Sequence, residues 1–388
     1  MYTVPHKRTL VKKILYIITK QDIGGAEKYV RDLARVLDPK QFVAKIIYGG
    51  IEVPSLSNRV WWWALFLNDW VAIFQLTKLF RRERPNIIHL NSSKAGVLGS
   101  LAAGLYNLFK PQHEKIKVVF TAHGWVFNPT NALSSPVRFF YRALHTLAAY
   151  FQNAIICVSR YDKELADRLH VAPSKKLVTI HNGIDYENLI FLDKVSAKKS
   201  ILRMLGLENQ GILEKLWIGS LGRLTKEKNY ETLIKAATLV PDAYFFVIGN
   251  GPEKANLQLT TKNLQLGKRF FLVEPQGEDA KYLKAFDVFV MPSRKEGFPY
   301  ALLEAMAARL PIIVTNIGGM SEAIENEKTG FVIEQNDSRA CALRVERYLK
   351  NQELRETYGN AAETRAKEYF SLRNMVRETE ALYEKITH

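Results

Sequence analysis

Short apolar runs alternate along the chain with longer amphipathic stretches. In the first half the runs 13–19, 42–48, 87–91, 118–122, 154–159 and 177–181 read as strands. Between them 26–37, 64–82, 96–109, 137–151 and 162–170 carry helical spacing. The rhythm lapses over 186–213, after the turn Asn182-Gly183-Ile184-Asp185, and resumes. Strands are expected at 216–221, 243–248, 269–273, 286–291, 311–315 and 330–333, and helices at 229–239, 253–264, 280–285 and 302–309, with a helical tail from 337. Strand–helix alternation argues a parallel sheet with helices on both faces. The expectation is an α/β chain of two doubly wound, Rossmann-like domains, 1–190 and 191–370, facing a deep cleft, with a last helix at 371–388.

Composition narrows this further. At 388 residues the chain exceeds one ordinary core, and 47% hydrophobic with 24% charged residues describes a globular protein. The two cysteines, Cys157 and Cys341, sit in apolar surroundings and read as reduced and buried. Residues 1–190 hold 26 Lys and Arg against 13 Asp and Glu, whereas 191–388 hold 29 against 26. The first half is therefore expected to meet something anionic: lipid headgroups, a lipid-linked diphosphate or nucleic acid. The alternative is a merely solubilising charge.

The segment from Val60 through Trp61, Trp62 and Trp63 to Phe80 has the length of a membrane span, but Asn68 and Asp69 interrupt it. An ionised Asp at bilayer depth costs ~2.5–3.5 kcal/mol on insertion scales, which argues against spanning. A buried helix over 64–82 and interfacial contact by the tryptophans remain compatible with each other. No secretory signal is visible.

The chemistry concentrates after the strand 286–291. Glu296 lies in the strand-to-helix turn, and Glu304 about one turn into the helix. Pro299 suits a first helical position, and free N–H groups there favour an anion such as a diphosphate. Glu304 can accept hydrogen bonds from ribose hydroxyls, and Glu296 from a sugar; two ordinary surface acids are the alternative. Arg223 and Lys228 follow the strand 216–221 and could hold a diphosphate together, or belong to a solvated basic loop. Ser92, Ser93 and Lys94 open a helix after the strand 87–91, a second plausible anion site. No strict Gly-x-Gly-x-x-Gly opens a first helix, which disfavours a nicotinamide cofactor. No Asp-x-Asp metal motif is present.

In order along the chain, the pieces Gly24-Gly25-Ala26-Glu27, Ser92-Ser93-Lys94-Ala95-Gly96, Thr121-Ala122-His123-Gly124, Val158-Ser159, Asn182-Gly183-Ile184-Asp185, Gly222-Arg223-Leu224, Lys228, Gly249-Asn250-Gly251-Pro252 and Glu296 to Glu304 resemble glycosyltransferase family 4. Its members are retaining enzymes of GT-B fold. The resemblance covers nearly the whole chain and rests on the joint order and spacing of motifs that are weak singly. It implies that Arg223 and Lys228 bind the donor diphosphate and that Glu304 holds the ribose. Glu296 would contact the transferred sugar, and the backbone of Gly297 and Phe298 would meet sugar and phosphate. His123 would face the donor sugar from the first domain, or be a satisfied structural histidine. Gly24 and Gly25 would allow close backbone approach to phosphates or acceptor, Asn182 and Asp185 would be hinge-turn residues, and the last helix would pack back on the first domain. One departure stands at Glu274-Pro275, where the family usually has a glycine in the loop that reads the nucleobase.

The expected activity is metal-independent, cofactor-free, retaining transfer of a sugar from a nucleotide-diphosphate donor, UDP ahead of GDP or ADP. The expected acceptor is a polyprenyl-diphosphate-linked saccharide in surface polysaccharide or lipopolysaccharide assembly, its phosphate held at Ser92, Ser93 and Lys94. The expected place is cytoplasmic, peripheral on the inner face of the cytoplasmic membrane, with no nucleic-acid partner. A GT-B sugar-nucleotide epimerase and a non-enzymatic polyanion- or membrane-binding scaffold are the competing readings.

Overall fold

The structure, a computed structural model, describes residues 11–19, 24–49, 62–130, 133–207 and 210–387, with 62–67 and 210 described by backbone alone. The chain divides into two compact units, Met1–Ile180 with Met375–His388, and His181–Asn374.

The first unit holds β1 (Lys12–Ile18), α1 (Gly25–Val36), β2 (Phe42–Tyr48), α2 (Trp62–Glu83), β3 (Ile87–Leu90), α3 (Ser93–Asn107), β4 (Lys117–Ala122), α4 (Ser135–Phe151), β5 (Ala154–Cys157), α5 (Arg160–Arg168) and β6 (Leu177–Thr179). Its sheet is parallel in the order β2-β1-β3-β4-β5-β6. The second unit continues with α6 (Lys194–Met204), α7 (Gln210–Leu213), β7 (Leu216–Leu221), α8 (Tyr230–Leu239), β8 (Ala243–Ile248), α9 (Lys254–Asn263), β9 (Phe270–Val273), β10 (Val288–Met291), α10 (Tyr300–Ala307), β11 (Ile312–Thr315), α11 (Met320–Ala323), β12 (Phe331–Ile333), α12 (Ser338–Lys350) and α13 (Gln352–Tyr369). Its sheet is also parallel, in the order β12-β11-β10-β7-β8-β9.

Strands buried on both faces explain why the sequence shows them as unbroken apolar runs: every residue of β3, β5, β10 and β11 is buried. In the first unit Leu15, Ile88, Val118 and Ile155 pack against Ile73, Phe80, Ala102, Ala149 and Leu165 from the helices. On the other face the last helix, α14 (Leu372–Thr387), contributes Tyr383 to a fully buried polar cluster. The Tyr383 hydroxyl lies 3.0 Å from that of Tyr16 and 2.5 Å from His89 Nδ1, and His89 Nε2 lies 2.6 Å from Thr121 Oγ1. Burial holds His89 down to about 3, so the ring is neutral and bridges two hydroxyls.

Three local expectations need correction. The lapse at 186–213 contains α6, opened by Asp193, whose carboxylate accepts from the Ser196 N–H. Lys198 sits on the buried face of α6, its ammonium donating to the Leu213 and Lys215 carbonyls, so a charge occupies a core position and blurs the apolar period. Pro299 precedes the first turn of α10 rather than entering it. Residues 279–285 form a 3-10 helix, not an α-helix. Cys157 and Cys341 are free thiols, both buried. Trp61 lies outside the described residues. Among the described residues no helix is long and apolar enough to cross a membrane.

Candidate active site

In a parallel sheet, loops at the carboxyl edge diverge where strand order reverses, and that is where ligands bind. In the second unit the reversal falls between β7 and β10, so the loop after β7, with Arg223 and Lys228, lies beside the loop after β10, with Glu296. Lys228 Nζ donates to Glu296 Oε1 at 2.6 Å, and Ser293 Oγ donates to the same oxygen at 2.8 Å. The pair is mostly buried, with side chains 18% and 12% exposed. A charged pair this enclosed fixes both side chains, whereas an exposed pair would contribute little.

The turn carrying Glu296 is held through its carbonyls. The Pro292 carbonyl accepts from Asn229 Nδ2 at 3.0 Å, and that of Ser293 from Thr315 Oγ1 at 2.6 Å. The Gly297 carbonyl accepts from the Gly319 N–H at 2.7 Å, and that of Phe298 from Asn182 Nδ2 at 2.6 Å. Gly318 makes this possible. Its φ is +49°, and a Cβ there would lie 2.0 Å from the Glu296 carbonyl oxygen. Gly249 plays the same part at the other loop, where a Cβ would meet the Gly222 carbonyl at 2.0 Å. With its carbonyls occupied, the turn leads into α10, whose N-terminus carries the positive end of the helix dipole.

The expected residues separate in this frame. Lys228, Glu296, Gly297 and Phe298 come together, and Glu304 is half-buried on α10. Phe298 contributes structure as well: its ring is buried against His181 and Phe370, with centroids 4.7 and 4.9 Å away. Arg223 is exposed on the β7 loop and does not join the Lys228–Glu296 pair. Asn182 is buried and Asp185 accepts from Asn188. Three residues that carry no distinctive motif in the sequence also belong here: Ser293, Asn229, in the left-handed conformation with φ 54°, and Tyr230. A Cβ at Gly222 would meet the Tyr230 hydroxyl at 3.0 Å and Lys228 Cε at 3.2 Å, so phenol and ammonium flank the same glycine. Burial pushes the Tyr230 phenol well up, and the Glu296 charge adds to this. A serine three positions before the glutamate was the available signal for Ser293.

In the first unit the reversal lies between β1 and β3. Gly24 precedes α1, and Gly25 begins it. Ser92 caps α3, accepting from the Ala95 N–H at 3.2 Å and from Thr19 Oγ1 at 3.1 Å. Lys94 pairs with Asp69 of α2 at 2.7 Å, which gives the acid inside that apolar helix its partner. His123 follows β4, edge-on to the buried Tyr29 ring at 4.8 Å. Its Nε2 is sealed from solvent with no hydrogen-bond partner among the described residues, and burial holds the imidazole down to about 4.

Residues 23–188 match the family model for Glycosyltransferase Family 4, and 208–365 that for Glycosyl transferases group 1. A UDP-Gal:alpha-D-GlcNAc-diphosphoundecaprenol alpha-1,3-galactosyltransferase of Escherichia coli is 34% identical over 294 residues, covering 74% of this chain and 70% of the relative. This chain belongs to glycosyltransferase family 4. The capsular polysaccharide glycosyltransferase CapM of Staphylococcus aureus is 25% identical over 82% of each chain. Among solved structures, sucrose-phosphate synthase from Thermosynechococcus elongatus aligns with TM-score 0.80 at 19% identity over 97% of this chain and 99% of that one. HepE from Anabaena, in complex with UDP and glucose, aligns with TM-score 0.76 at 19% identity over 96% and 99%. The two Rossmann-like units are those of the GT-B fold. Both matched segments carry candidate residues: the first includes Gly24, Lys94 and His123, the second Arg223, Lys228, Glu296 and Glu304.

Proposed function

We propose that this family 4 glycosyltransferase moves a sugar, with retention, from a UDP-sugar to a saccharide carried on a polyprenyl diphosphate, at the inner face of the cytoplasmic membrane, in surface polysaccharide assembly. The observation that carries the donor side is the Lys228–Glu296 pair, set between the β7 loop and the α10 N-terminus. The acceptor class is supported by the relative that acts on a diphosphoundecaprenol-linked sugar.

In this reading the donor diphosphate lies against Lys228 and the start of α10, and the exposed Arg223 turns in on it. These groups neutralise the charge that grows on the departing phosphate, the role a metal ion plays elsewhere, so activity persists in a chelator. Glu304 accepts from the ribose hydroxyls. Glu296, already fixed by Lys228 and Ser293, accepts from hydroxyls of the transferred sugar. The first unit supplies Ser92, Ser93 and Lys94 for the acceptor phosphate, the Gly24-Gly25 turn for close backbone approach, and His123 for the sugar. The acceptor hydroxyl attacks the anomeric carbon on the face the diphosphate leaves, and a phosphate oxygen takes the hydroxyl proton.

Turnover of a UDP-sugar with a polyprenyl-diphosphate-linked acceptor in EDTA, with the product anomer read by NMR, tests this. Glu296→Ala and Lys228→Ala should each lower kcat by about 100-fold or more while the fold survives. Near-normal turnover in both overturns the site. A thermal shift by GDP or ADP in place of UDP overturns the donor.

A further inference from the structure

We propose that the outer face of α2 and α4 is a docking surface for an anionic phospholipid bilayer. In the first unit α2 and α4 both pack on α3, so the three form one layer over the sheet. The inner face of α4 is given by His145, Ala148 and Ala149, all buried. Its outer face carries Phe139 at 62% exposure, Phe140 at 46%, Leu147 at 53% and Tyr150 at 81%. With the exposed Ala143 these positions recur every three or four residues and fall on one side of the helix. On α2, Trp70, Val71 and Phe74 are 59%, 51% and 62% exposed. Single exposed apolar residues are ordinary; aromatic rings exposed on both helices that flank α3 are a surface with a use.

Charge decides the partner. Helix α4 contains Arg138 and Arg142 and no acid, and the Arg142 guanidinium lies over the Phe139 ring, 5.0 Å from its centroid. Helix α2 ends in Lys78, Arg81 and Arg82. Its two acids are engaged, Asp69 by Lys94 and Glu83 by Lys13 and Lys45. Aromatic rings flanked by arginines suit an interface where the rings reach the acyl boundary and the cations meet phosphate headgroups. A second copy of the same face would bring like charges together.

The placement serves the reaction. Each helix begins at the carboxyl end of the strand before it, so Phe139 and Phe140, in the second turn of α4, and Trp70, next to the Asp69 that pairs with Lys94, belong to the edge that carries Ser92, Lys94 and His123. A polyprenyl chain could stay in the bilayer while its diphosphate meets that edge. This consequence rests on the lipid-linked acceptor reading; the docking itself does not.

The test is co-sedimentation of the full chain with vesicles of phosphatidylcholine alone, or with about 30% phosphatidylglycerol, at about 0.1 and 0.5 M salt. Wild-type protein should pellet with the anionic vesicles, and less so at the higher salt. Phe139→Ser with Phe140→Ser should lower partitioning about tenfold or more. The double variant should keep its UDP thermal shift and its turnover of a short-chain soluble acceptor, and lose turnover of vesicle-embedded acceptor. Arg142→Gln alone, which removes the cation and keeps most of a half-buried side-chain stem, should weaken binding to anionic vesicles only. Wild-type protein left in the supernatant overturns the proposal, as does a double variant that binds like wild type. A wild-type dimer that the double variant converts to monomer, seen by light scattering, also overturns it, giving the face to a second copy. Vesicle binding as expected without turnover of any lipid-linked acceptor upholds the docking and overturns the acceptor reading alone.

Discussion

Glu296 shows what a single residue can and cannot disclose from sequence. Its position between a strand and a helix, next to a glycine, marked it as a candidate. Its partner Lys228, 68 positions away, was marked independently by its own loop. Their contact was not legible, because it depends on where strand order reverses. In the sequence Gly318 is only a glycine after the apolar run 311–315; its work is to let the chain pass against the Glu296 carbonyl. Gly318→Ala should therefore cost the second unit about 1–3 kcal/mol and lower turnover, since both φ and space oppose a methyl group. Gly267, where a Cβ would meet nothing within 4 Å, is the control. If denaturant unfolding and kcat of Gly318→Ala match those of Gly267→Ala, the support assigned to that loop is wrong.

Among the elements the strands are the most legible: 42–48, 216–221 and 243–248 coincide with β2, β7 and β8. Buried parallel strands leave an unambiguous apolar run. The missed helix α6 has a mixed face, with Ala197, Ile201 and Leu202 buried beside the charged Lys198. No periodicity argument expects an ammonium that donates to two carbonyls and lies 4.9 Å from the Trp217 ring centroid. Helix α14 was legible as a helix, but its tie to β1 and β3 through Tyr383 was not. Tyr383→Phe would leave His89 Nδ1 and the Tyr16 hydroxyl without their shared partner in a dry core. A loss of about 1–3 kcal/mol in the first unit should follow. Because Tyr383 lies in the first unit and Lys228 in the second, UDP should still stabilise the variant. Unchanged denaturant stability would show that the cluster holds nothing together.

Across the whole molecule the two units should differ in their response to acid. His89, His123 and His145 all belong to the first unit, and burial holds their imidazoles down to about 3, 4 and 4. His145 is enclosed by Phe120, Trp125 and Phe127, with neither ring nitrogen hydrogen-bonded among the described residues. A histidine held below its unfolded value binds its proton more readily once the chain unfolds. Its contribution is thus constant above pH ~6.5 and is lost as pH falls from there towards the folded value. Between pH ~6.5 and pH 5 each such residue costs about 2 kcal/mol, and three together rival the stability of a domain. Calorimetry over this range should therefore show the first unit's transition falling well ahead of the second's. Under the proposed donor, the second unit's transition is the one that UDP should raise. His145→Phe, which replaces an unpartnered imidazole with a ring of similar shape, should raise the first transition at pH 5 more than at pH 7. If both transitions fall in parallel, or if the substitution acts equally at the two pH values, the buried histidines do not set the acid limit of this protein.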